Sequence, residues 1–210
     1  MNRKELALVL LSSVGIFLVG MLIFSIVMTL ALPSDNFRLF RRYTPGVCTM
    51  VVLTLYLIKK AGTQRLVFSA GLKSVKSAIF GIIASFIYSI ISNHLYFNPV
   101  RQEIGALNGY NYIVILLIVG MLTPIFEEIV VRGYVFENAR CNYGLAFAWC
   151  ANITVSIVPH YIFALYKISI PHVIYMIIGV AIITISYQYG RLYASIVVHG
   201  FINIYGFVIR

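Results

Sequence analysis

Only six of the 210 residues are acidic, and two of them stand side by side in Thr123-Pro-Ile-Phe-Glu-Glu-Ile-Val-Val-Arg132. An ionisable side chain at membrane depth costs roughly 2.5–3.5 kcal/mol on insertion scales unless it faces a partner or a polar cavity. Glu128 and Arg132 are spaced i,i+4 and can pair along one helix face, which by itself is a structural ion pair. Glu127 points about 100° away, and no basic residue lies one turn to either side of it. It needs another partner. Two histidines qualify: His160 in a charge-free stretch, and His199 in another, with Asn203 one turn beyond it on the same face. The bland reading of a lone histidine in an apolar helix is a satisfied packing residue.

Together these residue types carry a definite chemistry. A carboxylate with a nearby imidazole can deprotonate a water and later protonate a leaving amine. An imidazole with an Asn amide can donate to the oxyanion of a tetrahedral intermediate. That combination hydrolyses a peptide bond with no covalent intermediate. Glu127, His160 and His199 could alternatively hold a zinc ion, although His-x-x-x-Asn is not a His-Glu-x-x-His pair, so the metal-free reading ranks first. Serine and cysteine nucleophiles are poor candidates. No Ser sits in Gly-x-Ser-x-Gly, and Cys150 lacks a base at helical spacing. His94 beside Asn93, and His172 after Pro171, lie at the ends of apolar runs, where interfacial placement accounts for them.

The elements that must position this set are membrane helices. Hydrophobic residues make up 61% of the chain and charged ones 10%, with a mean hydropathy of +0.94. Seven long charge-free runs, 6–34, 43–58, 77–100, 104–126, 141–166, 168–190 and 192–209, cover most of the sequence. Six of them reach or nearly reach the roughly 20 residues that a span needs, and Lys59 and Lys60 can snorkel to extend the short one. The expected fold is an all-α, polytopic transmembrane bundle of about seven spans, with no soluble domain. The excess of 16 basic over 6 acidic residues lies between the runs, where it sets topology and meets lipid head groups rather than nucleic acid. With the N-terminus inside, ten basic residues (Arg132, Arg140 and Arg191 among them) fall on the cytoplasmic side and six on the other, which favours that orientation. The cluster Arg38, Arg41 and Arg42 opposes it and suggests an interfacial stretch around Phe37–Tyr43. Cys48, Cys141 and Cys150 form neither a disulfide framework nor a metal-binding pair.

Turn signals divide the chain at Pro33-Ser-Asp, a basic connector over Lys60–Lys76, a polar loop with Gly105–Gly109, Asn142-Tyr-Gly144, Lys167–Pro171 and Gly190-Arg191. Pro124 should kink the fourth span, and Arg132–Arg140 reads as an amphipathic extension of it. Glu127 lies 16 residues before Tyr143 and His160 lies 17 after it, so antiparallel helices bring both to one level. If Arg132 and Arg191 both mark the interface, Glu127, His160 and His199 all fall ~8–12 Å beneath it.

These residues resemble the CPBP membrane proteins, the family of CAAX prenyl proteases and of bacteriocin-processing and self-immunity proteins. The Glu-Glu-x-x-x-Arg motif stands as Glu127, Glu128 and Arg132, with Pro124 before it and Gly133 after it. The second motif, Phe-x-x-x-His, keeps its His160 but has Ser156 at the Phe position. The third, His-x-x-x-Asn, is His199 and Asn203, after a run Gly190-Arg191-Leu-Tyr-Ala-Ser195 similar to the family's lead-in. The resemblance covers about Ile113–Arg210. It implies one integral membrane domain, with residues 1–104 as N-terminal spans and 105–210 as the CPBP-type core. It also implies a glutamate-dependent intramembrane endopeptidase. Glu127 with His160 would activate water, His199 and Asn203 would stabilise the oxyanion, and Glu128 and Arg132 would support the site, with no cofactor, or zinc in the alternative.

The composition looks bacterial, which places the protein in a cell membrane and points away from prenylated substrates. A membrane-associated peptide or protein, such as a bacteriocin precursor, is the expected partner besides the bilayer. Two other readings stay open: a non-catalytic immunity or signalling partner, and a small transporter or proton relay. Against the last stands the absence of repeat symmetry and of paired broken helices.

Overall fold

In a computed structural model of the chain, residues 3–32, 38–62, 66, 71–95, 109–163 and 170–208 are described, and every regular element among them is helical. The turn after Pro33, most of the basic connector, the loop before Gly109 and the segment 164–169 lie outside the described residues. So do Arg65, Arg101, Lys167 and Arg210, and the side chains of Asn93 and His94.

The first helix, α1 (Arg3–Ala31), is apolar beyond its first turn and packs mainly along α2 (Arg38–Ala61) among the described residues. The stretch Arg38–Tyr43 is the opening of α2, and Arg41 donates to the Leu32 carbonyl at 2.6 Å, closing the end of α1. Next comes α3 (Leu72–Leu95), then a long helix α4 over residues 109–143, then α5 (Leu145–Phe163). Gly144, at φ 89°, makes the tight reversal between α4 and α5.

The last helical run, Ile170–Val208, breaks at Arg191, whose φ of 58° and ψ of −161° cannot belong to a helix. Its two limbs are α6 (170–190) and α7 (192–208). Contacts with α3 show that they form a hairpin. Ser77 donates to the Ser186 carbonyl at 3.0 Å and Tyr88 stacks on Tyr175, so α3 runs antiparallel to α6. Gly81 faces both Ser186 and Val198, and Phe86 meets Tyr205 edge-on at 5.6 Å, so α3 runs parallel to α7. The turn expected at Gly190-Arg191 is real.

Among the described residues five helical runs are long and apolar enough to cross a membrane, so the expected count of about seven is not confirmed. The expected second span, α2, is not among them, and α6 and α7 count as one run. Charged ends lower the mean hydropathy of α2, yet its Leu53 and Leu57 enter the main core. That core gathers around the second half of α4: Ile129, Val130, Val131, Tyr134, Phe136 and Ala139, with Ala148 of α5, Tyr187 of α6 and Leu192 of α7. Arg132–Arg140 is therefore not an amphipathic surface extension, since only Arg140 of that stretch is exposed. Polar contacts tie the outer helices: Asn152 of α5 donates to the Thr184 hydroxyl of α6 at 2.8 Å. In a bilayer, where lipid tails solvate apolar faces as well as protein does, such contacts and close packing at small residues hold helices together.

Because Gly81 lies where α6 and α7 meet α3, a leucine there should push both limbs away. Gly81→Leu is expected to lower stability by ~1–3 kcal/mol, the usual cost of overpacking, read as a reduced unfolding midpoint in detergent micelles.

Candidate active site

The site is built on two irregular stretches of α4. Over Ile118–Leu122 the helix widens into π-type turns, and the Thr123 N–H bonds to the Ile118 carbonyl, five residues back. The next bond of that register would run from residue 124 to the Val119 carbonyl, but Pro124 has no N–H. Val119 is left with a free acceptor inside the bundle. Asn203 of α7 supplies the donor, its Nδ2 reaching the Val119 oxygen at 2.9 Å. At the same level α7 touches α4 backbone to backbone: a Cβ on Gly200 would lie 2.6 Å from the Gly120 carbonyl oxygen.

After the short α-helical segment Thr123–Glu128 comes a second π-type stretch, Ile129–Phe136. Glu128 has no exposed surface. One of its oxygens, Oε1, accepts from Arg132 Nη1 at 2.7 Å and lies 2.8 Å from His199 Nδ1. Arg132 is only 1% exposed, so the pair is sealed within protein. Ser195, one turn before His199 on α7, stands beside the same carboxylate. Because Nδ1–H is given to a carboxylate, Nε2 is the ring nitrogen of His199 left to face a ligand.

Glu127 is buried beside this pair. Among the described residues its carboxylate takes part in no hydrogen bond or ion pair, and it lies close enough to act electrostatically on the His199 ring. His160 on α5 is half-buried, and its Nδ1 donates to the Ser156 carbonyl at 2.7 Å. That bond uses backbone, so a serine in place of phenylalanine at position 156 does not disturb it, and Nε2 is left as an acceptor. The side chain of Ser156 is itself buried.

The structure thus unites Glu128, Arg132 and His199, with Glu127 adjacent, and joins Asn203 to α4. It does not join His160 to Glu127, Glu128 or His199 by any hydrogen bond or ion pair among the described residues. The level matching of Glu127 and His160 across the α4–α5 turn is not enough, because α5 packs on residues 129–143 of α4 and hardly touches Thr123–Glu128. The titratable neighbour of His160 is instead His172, which is buried against Tyr161 (Nδ1 to hydroxyl 3.2 Å). Arg132 is no interface marker. Arg140 and Arg191 keep 45% and 44% of their side-chain surface exposed, and Glu128 lies ~18 Å along the helix from Arg140.

Among the described residues no three His, Cys, Asp or Glu side chains come together as metal ligands.

Two contributors escaped the sequence reading. Ser195 was visible as the residue one turn before His199, on its face. Glu137 carried a weaker signal, a third acid in the same helix with no basic partner one full turn before it.

Residues 109–205 match the family model described as type II CAAX prenyl endopeptidase Rce1-like. No match is found among curated proteins or among solved structures.

Removing one member of a sealed ion pair strands the other, at about 3–5 kcal/mol. Glu128→Ala should therefore deplete the folded, monodisperse protein, while Glu128→Leu with Arg132→Met should recover thermal stability but not any activity of the site. The orphan carbonyl gives a sharper test. Asn203→Leu should destabilise by ~1–3 kcal/mol, the cost of an unmet buried acceptor. Pro124→Ala, which restores an N–H for Val119, should reduce that loss in a double-mutant cycle of unfolding midpoints. Strict additivity of the two substitutions would contradict the account.

Proposed function

Because this chain carries a CPBP-family, Rce1-like protease domain across residues 109–205, within a multi-pass membrane protein, we propose that it is a glutamate-dependent intramembrane endopeptidase. One observation carries the reading: Glu127 is a buried carboxylate without a hydrogen-bond partner among the described residues, next to an imidazole already oriented by Glu128. A structural acid would be expected to resemble Glu128, whose Oε1 is held by Arg132 and His199. An acid left uncommitted can take a proton.

In this reading a water oxygen attacks the scissile carbonyl carbon as Glu127 accepts the water's proton. The negative charge moves to the carbonyl oxygen, where His199 stabilises it through Nε2–H. An imidazole that already gives Nδ1–H to Glu128 can offer Nε2–H only as an imidazolium. Glu127 and Glu128 on one side, and Arg132 and protonated His199 on the other, then balance in charge. As the tetrahedral intermediate collapses, the C–N bond breaks, the carbonyl re-forms, and the proton held by Glu127 passes to the leaving amine. His160, with Nε2 free to accept, assists that proton transfer when substrate lies between α4 and α5. One Asn203 amide hydrogen is engaged by Val119, and the second is available to the oxyanion.

The substrate class that suits a site between membrane helices is a membrane-associated peptide or protein. A role in bacteriocin maturation or self-immunity, in a bacterial membrane with the N-terminus in the cytoplasm, is part of this proposal. A second reading, a non-catalytic partner protein, is favoured by two facts. Asn203 is engaged in a helix-to-helix bond, and His160 stands apart from the acids.

Reconstituted protein is expected to cleave a membrane-associated peptide. Glu127→Ala should abolish cleavage and His160→Ala should lower it by roughly 10²–10⁴-fold, both at unchanged expression. Undiminished turnover by the Glu127 variant would refute the assignment. A cellular phenotype that persists in Glu127→Gln would support the non-catalytic partner.

A further inference from the structure

The mechanism above leaves one buried acid unused. Glu137, at the start of the last α-helical segment of α4, is 7% exposed, yet it gathers donors from three places. Its Oε1 accepts from the Tyr187 hydroxyl of α6 at 3.0 Å and lies 3.5 Å from Arg191 Nη1. Its Oε2 accepts from Arg140 Nε at 3.0 Å and from Arg140 Nη2 at 2.7 Å. Tyr187 is almost fully buried and packs edge-on against Phe136, which meets Trp149 of α5 in the same way.

Arg191 makes the cluster informative. It is the only non-glycine residue with positive φ among the described residues, and it forms the turn between α6 and α7. Glycine would adopt that backbone freely, whereas an L side chain there costs of order 1–3 kcal/mol. What arginine brings in exchange is a guanidinium that reaches the carboxylate on α4. Gly190 beside it leaves no room for a Cβ, with the Ser77 side chain and the Ser74 backbone against it, so α3 presses the turn from the other side. A strained residue persists only where its surroundings over-determine it.

We propose that Glu137 is a positioning residue: it clamps the α6–α7 turn to α4 and thereby sets the register of α7 that brings His199 to Glu128. The two inter-helix links are spaced alike. Glu128 lies nine residues before Glu137 on α4, and His199 lies eight residues after Arg191 on α7, ~13 and ~12 Å of helix in opposite chain directions. Sliding or rotating α7 about a loosened turn therefore moves the imidazole at the far rung. The consequence for catalysis rests on the peptidase reading above; the clamp itself does not.

The test separates the two. With Cys48 and Cys150 changed to Ala, spin labels are placed at exposed Cys141 on α4 and at Tyr193→Cys on α7. The clamp gives a narrow distance distribution in the parent protein. Glu137→Ala and Arg191→Gly should broaden it, while Glu137→Gln, which keeps an acceptor for Tyr187, should restore most of it. Arg191→Gly matters most, because it relieves the backbone and removes only the guanidinium, so misfolding does not confound it. In peptide cleavage, Glu137→Ala and Arg191→Gly should lower kcat by roughly 10²-fold, the cost of about 1 Å of misplacement, with KM little changed. Unchanged distances in both variants overturn the clamp whatever the activity. Broadened distances in a protein whose parent form cleaves nothing uphold the clamp and remove the peptidase reading instead.

Discussion

The Glu128 carboxylate cannot be solvated where it sits, and the rest of the site follows from how it is neutralised. Within a bilayer there is no water to stabilise a lone ion, and even within protein the penalty is several kcal/mol per charge. Arg132, one turn along α4, supplies a permanent cation. His199 supplies the second donor, but it belongs to another helix, so α7 has to approach α4 closely and in one register. The small residues at the crossing, with Gly200 against the Gly120 carbonyl, permit that approach. The hairpin turn at Arg191 makes it topologically possible.

The irregular winding of α4 belongs to the same design. A regular helix satisfies its own carbonyls and offers nothing to a neighbour. Combining π-type turns with Pro124 frees the Val119 carbonyl inside the bundle, where an unmet acceptor is costly. Asn203 meets it from α7, so the same two helices are joined on one side of the ion pair as well as at it. Glu137 and Arg191 add a third tie on the other side of it. In the proposed peptidase, rigidity of this kind keeps donors aimed at a developing oxyanion without reorganisation during the reaction.

How much of this was legible beforehand varies with the kind of interaction. Long charge-free runs gave the helices, because the requirement for backbone hydrogen bonding in lipid leaves few alternatives. The second span is not confirmed: α2 has a short apolar centre between basic ends, and its Leu53 and Leu57 pack into the core although its composition falls short of a membrane span. Arg132 read as interfacial because arginines usually are, whereas its i,i+4 acid makes burial tolerable. His172 read the same way from its place beside Pro171, but it is buried against Tyr161. The pairing of His199 with Glu128 instead of Glu127 was beyond reach, since adjacent residues on a helix differ by 100° and only the neighbour's position selects between them.

From sequence alone came the all-helical membrane architecture, the resemblance carried by Glu127, Glu128, Arg132, His160, His199 and Asn203, and the local pair Glu128–Arg132. Each of these depends on composition or on spacing within one helix, which covalent geometry transmits directly. Tertiary structure decided which acid meets His199, what Asn203 bonds, how far His160 stands from the acids, and that Glu137 ties the last turn to α4. Those outcomes depend on the relative rotation and tilt of separate helices. Such rotations follow from side chains packing across interfaces, and no spacing along the chain encodes them.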